Sequence, residues 1–253
     1  MGRTAVKTLF LDIETSPTVA TVWSLWRQTI SINQLLGNSE VLTWVAKWHG
    51  DKGTIDGSLM RDGKRRMLRR IHRLLAEADA VVTWNGNGFD LKVLNKEFLL
   101  LGLAPPAPFK SVDLLQTARK RFRFTSNKLD YISQQLGLGA KVKHRGHQLW
   151  LDCMARKREA FEEMMTYNRQ DTILLERVYD HLLPWVANHP NRSLMEGKLC
   201  CPKCASTKFQ RRGYTVTQAG RYARYQCLAD GCGAWFRSQE NVAARVPRML
   251  EVA

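Results

Sequence analysis

At 253 residues, with 44% hydrophobic and 25% charged residues, the chain can bury a sizeable core, which excludes a disordered or fibrous polypeptide. Its 39 Lys+Arg against 23 Asp+Glu give a net charge of +16, suited to a polyanionic partner and not to a cationic one. The apolar run "FLLLGLAPPAPF" is too short and too rich in proline to cross a membrane.

The first predicted element is a buried strand in "VKTLFLDIET", where Val6, Leu9, Phe10, Leu11 and Ile13 form a nearly continuous apolar run. Alternation along a strand puts Asp12 and Glu14 on one face as neighbouring carboxylates. Such a pair is costly to desolvate unless a cation neutralises it, although acids after a strand are also ordinary turn residues. The following stretch, residues 18 to 40, carries tryptophans and suggests no role. Trp23, Trp26, Trp44 and Trp48 could stack on unpaired bases or pack inside, and core packing is the expectation for Trp44.

"RDGKRRMLRRIHR" predicts an amphipathic helix with Leu68, Ile71, Leu74 and Leu75 inward. Arg65, Arg66, Arg69, Arg70 and Arg73 then point largely outward, as a solvated face or a track for nucleic acid. Next, "ADAVVTWNGNGFDLKVLNKEFLLLG" reads as a strand from Ala80 to Trp84, a glycine-containing turn, and a helix from near Phe89 to near Gly102. Asp90 falls in the first helical turn. There it either complements the helix dipole or adds a third functional acid. The basic segment "KVKHRGHQ" holds His144 and His147 and reads as a loop that is solvated or contacts phosphate; a metal site there is the less favoured alternative.

From Arg158 to Trp185 the pattern is one long helix. Tyr167 and Asp171, four apart, continue an inward stripe through Leu174, Leu175 and Val178. A carboxylate in that stripe needs a partner: a metal ion, a backbone amide or an arginine. The helical pattern stops in "ANHPNRSLMEGK", which predicts a first domain over residues 1–186, a linker over 187–198 and a second domain over 199–253.

The second domain opens on "CPKC" (Cys201, Cys204) and reaches "CLADGC" (Cys227, Cys232) 22 residues later, the spacing of a zinc ribbon with four thiolates around one Zn2+. Short alternating stretches between the pairs predict its strands. Two disulfides in a secreted protein are the competing reading, disfavoured because no secretory signal precedes the domain; the expected location is intracellular and cytoplasmic. Of the two remaining cysteines, Cys200 is a possible substitute ligand and Cys153 is expected to be a buried or half-buried free thiol. The ribbon also interleaves Tyr214, Tyr222, Tyr225, Trp235 and Phe236 with Arg211, Arg212, Arg221, Arg224 and Arg237. So small a fold has little core to fill, which leaves some of these rings exposed and available to nucleic acid.

Taken together, "DIE" at Asp12–Glu14, the N-x-x-x-F-D pattern of Asn85, Phe89 and Asp90, and Tyr167 with Asp171 in Y-x-x-x-D resemble the DnaQ-like (DEDD) 3'-5' exonucleases. The likeness is greatest to the branch allied to the proofreading domain of family B DNA polymerases. It covers about residues 5 to 185 and includes "DLLQTARKRFRFTSNKLDYISQQLGLGAK". Thr166 stands where the other branch has histidine, so the chain resembles the tyrosine subtype. Trp84 before the asparagine and the tryptophan-bearing stretch depart from the pattern.

The resemblance implies an RNase H-like α/β fold with a mixed central sheet, ahead of the ribbon. It implies that Asp12 bridges two divalent ions, Mg2+ or Mn2+, with Glu14, Asp90 and Asp171 completing their shells. Tyr167 would orient the attacking water. The expected activity is two-metal 3'-5' exonucleolytic hydrolysis of nucleic acid, DNA favoured over RNA, with the ribbon holding substrate or a replication or repair protein. A structure-specific endonuclease or a ribonuclease shares the same site chemistry, and a non-catalytic nucleic-acid-binding adaptor or an interaction protein shares the architecture.

Overall fold

In a computed structural model of the protein, residues 6–142 and 144–243 are described. The described residues divide into two compact units, Lys7–Tyr179 and the residues from Asp180 onward together with Val6. The division falls inside the long helix, ahead of the linker expected at residues 187–198.

The first unit is built on a five-stranded mixed sheet. Its strands are β1 (Thr8–Thr15), β4 (Val41–Trp48), β5 (Ile55–Ser58), β6 (Ala80–Thr83) and β7 (Lys110–Asp113), in the order β5-β4-β1-β6-β7. Strand β1 is central and buried on both faces, which is why Leu9, Phe10 and Leu11 follow one another without a polar break. It pairs antiparallel with β4 and parallel with β6, and the parallel pairing ends at Phe10 opposite Val82. Asp12 and Glu14 therefore lie beyond the carboxyl end of β6, in the kind of crevice where open α/β sheets place ligands. Two short strands, β2 (Val19–Ala20) and β3 (Leu35–Gly37), pair with each other.

The helices of this unit are α1 (Leu59–Asp62), α2 (Lys64–Glu77), α3 (Asp90–Leu100), α4 (Leu114–Arg121), α5 (Leu129–Gln135), α6 (His147–Met154) and α7 (Arg158–Leu182). Helix α2 buries Met67, Leu68, Ile71 and Leu75, while Leu74 is half-buried. Arg65, Arg66, Arg69 and Arg73 point to solvent as expected, but Arg70 does not. Its guanidinium pairs with Asp62 at 3.4 Å and lies 5.6 Å from the centre of the Trp44 ring. Trp44 is core, with its indole N–H donating to the Met67 carbonyl at 3.1 Å.

Helix α3 ends where Gly102 takes a positive φ of 68°, and the Leu103 N–H reaches back to the Phe98 carbonyl. The long helix stops at Leu182 and not at Trp185, because a tighter turn over Leu183–Trp185 with Pro184 near its start replaces the last α-helical residues. Among the described residues, no helix is long and apolar enough to cross a membrane.

The second unit contains a short helix, α8 (Arg192–Glu196), and an antiparallel sheet of β8 (Phe209–Thr217), β9 (Gly220–Cys227) and β10 (Trp235–Asn241), with β9 central. Cys201, Cys227 and Ala234 form a small buried centre, against which Cys204, Cys232 and Phe236 pack.

Candidate active site

Strand alternation does bring Asp12 and Glu14 to one face of β1, and α7 carries Asp171 to meet them. One carboxylate oxygen from each of the three lies within 4.8 Å of the others. Asp90 opens α3 close by, with its Oδ1 accepting the backbone N–H of Ile13 at 3.1 Å. That bond ties the third acid to the strand carrying the first two. Among the described residues, Asp12 Oδ2 and Asp171 Oδ1 are buried with no hydrogen-bond partner, an arrangement too costly for ionised groups without a cation.

The electrostatics follow from that crowding. Burial, then Asp90, Glu14 and Asp171, push the Asp12 carboxyl well above the usual range. Burial raises Glu14 to about 8 and Asp90 to about 7. Asp171 is raised by burial as well, despite the cation beside it. The donor set consists wholly of carboxylates, which suits hard divalent ions.

That cation is Lys141, which the sequence did not single out. Its ammonium donates to Asp171 Oδ2 and to the Tyr167 hydroxyl, the latter at 3.1 Å. Burial alone would lower the ammonium's pKa, but Asp171 and Tyr167 more than offset it and hold it above the ordinary value. Asp130 fixes the segment, its Oδ1 accepting the Lys141 backbone N–H at 2.7 Å. No local pattern marks such a lysine, because its partners lie 26 and 30 residues away. Burial, and then Asp171, also raise the Tyr167 phenol, so it stays protonated.

A second overlooked residue builds the turn before Asp90. Asp113, capping α4, accepts the N–H groups of Leu115 at 3.0 Å and Gln116 at 3.4 Å, and reaches across to those of Asn85 at 3.0 Å and Asn87 at 3.2 Å. An aspartate before an apolar run is legible as a cap; the two cross-chain bonds are not. Asn85 itself takes a φ of 72°, and a Cβ at Gly86 would lie 2.2 Å from Thr83 Oγ1, so only glycine fits there.

A cleft of about 600 Å3 opens beside Asp12, lined by Trp84, Asn85, Arg119, Asn127, Lys128 and Lys141. The Trp84 indole is held by the Asn127 carbonyl at 3.2 Å, and Asn127 Oδ1 is buried with no hydrogen-bond partner among the described residues. On the other side, His144 packs against Tyr167 at 4.7 Å and Trp150 at 5.0 Å, and its Nδ1 accepts the Gly146 N–H at 3.1 Å. Among the described residues, His144 and His147 belong to no cluster of potential metal ligands. Lys143, in the same basic segment, lies outside the described residues.

In the second unit, Cys201, Cys204, Cys227 and Cys232 bring their sulfurs within 4.8 Å of one another. Cys201–Cys232 and Cys204–Cys227 are 3.9 and 3.5 Å apart, the separations of tetrahedral thiolates around one ion. Cys200 is buried outside this cluster, and Cys153 is a buried free thiol raised to about 11 by its burial.

The model of the RNase H superfamily matches residues 9–183. Among solved structures, the chain is similar to the family B DNA polymerase from the hyperthermophilic archaeon Pyrobaculum calidifontis, at 17% identity and a TM-score of 0.53. The likeness covers 76% of this chain and 27% of the polymerase, and at that identity it concerns the fold. No curated protein sequence is similar enough to this chain to count as a match.

Proposed function

The chain belongs to the RNase H superfamily over residues 9–183, and from that premise we propose that it is a metal-dependent 3'-5' exonuclease of the DEDD type, tyrosine subtype, with DNA as its favoured substrate. The observation that carries this reading is the meeting of Asp12, Glu14 and Asp171, with two buried carboxylate oxygens that have no hydrogen-bond partner among the described residues. Asp12, Glu14, Asp90 and Asp171 would hold two Mg2+ or Mn2+. Such ions, when bound, polarise the scissile phosphate and supply a strong nucleophile from water at neutral pH.

The chain's own residues do the positioning. The Tyr167 hydroxyl, kept protonated by burial, orients the attacking water and is too weak a base to take its proton. Lys141 fixes that hydroxyl through its hydrogen bond and offsets the negative charge of an incoming phosphate. The cleft beside Asp12 would take the terminal nucleotide, with Trp84 and the free acceptor of Asn127 available to its base or sugar and Arg119 to its phosphate. Four thiolates around one structural Zn2+ would close the second unit, a zinc ribbon that binds substrate or a replication or repair protein. Domain limits of 1–186 and 199–253 and a cytoplasmic location remain part of this reading.

A degradation time course tests it, using 5'-labelled and 3'-labelled DNA and RNA oligonucleotides with Mg2+ or Mn2+. Stepwise shortening of the 5'-labelled strand with immediate release of labelled mononucleotide from the 3' end is the expected result. Internal fragments appearing first would mean an endonuclease, and no product with either ion would leave a binding adaptor.

A further inference from the structure

The two faces of the second unit's sheet are used differently. On one face, Tyr225 stacks on Phe236 and Phe209 meets both edge-on, with ring centres 5.5 to 5.8 Å apart beside Cys227, and so they close that face with their own aromatic cluster. Strand pairing sets Arg237 opposite Arg224 and Trp235 opposite Gln226, and alternation adds Tyr222 to the same, opposite face. Arg212 sits at the bulge in β8, and its carbonyl accepts the Arg224 Nε–H at 3.0 Å. The Arg224 guanidinium lies 5.0 Å from the Trp235 ring centre, and that of Arg237 lies 3.9 Å from the Tyr222 ring centre.

The combination of arginines and rings separates this face from the rest of the basic surface. Several arginines of the first unit are engaged with carboxylates, Arg61 and Arg169 with Asp56, Arg145 with Asp152 and Arg156 with Glu40, and the solvent-facing Arg65, Arg66, Arg69 and Arg73 stand on α2, which carries no Phe, Tyr or Trp. Among the described residues, no carboxylate pairs with Arg212, Arg224 or Arg237. Trp235 is also 53% exposed although a small domain gains from burying it, and Tyr222 beside it is half-buried.

We propose that this face is a second nucleic-acid site, separate from the acidic cleft, which holds an unpaired strand by stacking bases on Trp235, Tyr222 and their guanidinium planes while the arginines neutralise phosphates. An acidic protein would satisfy the arginines but leave the ring faces without a partner, and a duplex hides its base faces. The inference rests on the reading of the chain as a nucleic-acid enzyme and supplies a grip that outlasts each round of hydrolysis.

Fluorescence anisotropy with a labelled oligothymidylate of about 30 nucleotides, and with a duplex of equal length, tests it in the full chain carrying Asp171→Asn to prevent degradation. Arg224→Ala with Arg237→Ala should weaken single-strand binding at least tenfold and flatten the dependence of log K on log salt by about 1.4, two contacts at ~0.7 each. Trp235→Ala should weaken single-strand binding roughly fivefold or more with the salt slope unchanged, Trp235→Phe should restore most of it, and duplex binding should not respond. Unchanged affinity and slope in the double arginine variant would overturn the proposal and favour an acidic protein as the partner. An equal response of duplex and single strand to Trp235→Ala would overturn the single-strand assignment. Hydrolysis of a trinucleotide by the otherwise unaltered protein reports on the catalytic reading alone: its absence alongside arginine-dependent binding would remove the enzyme and leave this site standing.

Discussion

Lys141 binds the carboxylate of Asp171, so the cluster of four acids already holds one protein cation at its edge. That ammonium stabilises ionised Asp171 and competes with any ion that would use the same oxygen. Lys141→Met should therefore raise Mn2+ affinity measured by calorimetry while slowing hydrolysis about 10- to 100-fold, because the Tyr167 hydroxyl loses its donor. Faster turnover together with tighter ion binding would show that Lys141 only blocks the site.

The raised carboxyls make stability depend on pH in a direction opposite to the usual acid denaturation. Glu14, about 8 against an ordinary 4.5, and Asp90, about 7 against 3.8, hold protons more tightly folded than unfolded. Their contribution is full below about pH 4 and is lost as pH rises through 7 and 8. Without Mg2+ or Mn2+, Tm should fall between pH 5 and pH 9. Adding Mn2+ should recover that loss at pH 8 and above and change little at pH 5, where protons displace the ion. A metal-free Tm that rises steadily across this range would contradict the carboxylate assignment.

Removing Asp12 or Tyr167 separates ion holding from water positioning. Asp12→Ala should lower hydrolysis to background with the fold intact by circular dichroism, since it deletes the acid whose carboxyl interacts with all three of the others. Tyr167→Phe takes away one hydroxyl and should slow single-turnover hydrolysis by roughly 10- to 1000-fold with Mn2+ affinity retained. Wild-type single-turnover rates in Tyr167→Phe would assign the ring a packing role against His144.

Apolar periods strong enough to fix a face made Asp12, Glu14, Tyr167 and Asp171 legible, whereas Asp90, at the start of its helix, stood out only through the N-x-x-x-F-D pattern it shares with Asn85 and Phe89. The helix of residues 64–77 was legible by its apolar period, yet Arg70 turned inward onto Trp44, a contact that depends on where β4 passes. Asp113 and Lys141 act on partners 26 to 30 residues away, and nothing in their own segments encodes those partners. The stretch after β1 was unassigned from sequence and stays so: Trp23 and Trp26 are 97% and 82% exposed. Neither is core.

Asp113 tests whether the turn before Asp90 matters as geometry. Asp113→Ala removes the acceptor for four backbone N–H groups, two of them in the turn carrying Asn85. A lost cap and buried unpaired donors together should cost about 3 kcal/mol by denaturant titration. Asp113→Asn keeps one acceptor oxygen and should recover about half. If Asp113→Ala left both stability and hydrolysis unchanged, the turn would be held by Gly86 and Thr83 alone.

The four cysteines yield the last prediction. Their sulfurs lie close enough for one ion, so purified protein should contain about one equivalent of zinc by elemental analysis. Structural zinc supplies on the order of 10 kcal/mol of apparent folding free energy, far more than a centre of Cys201, Cys227 and Ala234 can provide. Cys204→Ser should therefore abolish zinc binding and unfold the second unit, seen as a lost thermal transition. The first unit has its own sheet and core, so hydrolysis of a short oligonucleotide should survive the substitution. Zinc retained at one equivalent in Cys204→Ser would bring in Cys200, the buried neighbour of Cys201, as a replacement ligand; a Cys200→Ser, Cys204→Ser double variant that still held the metal would remove this cluster as its site.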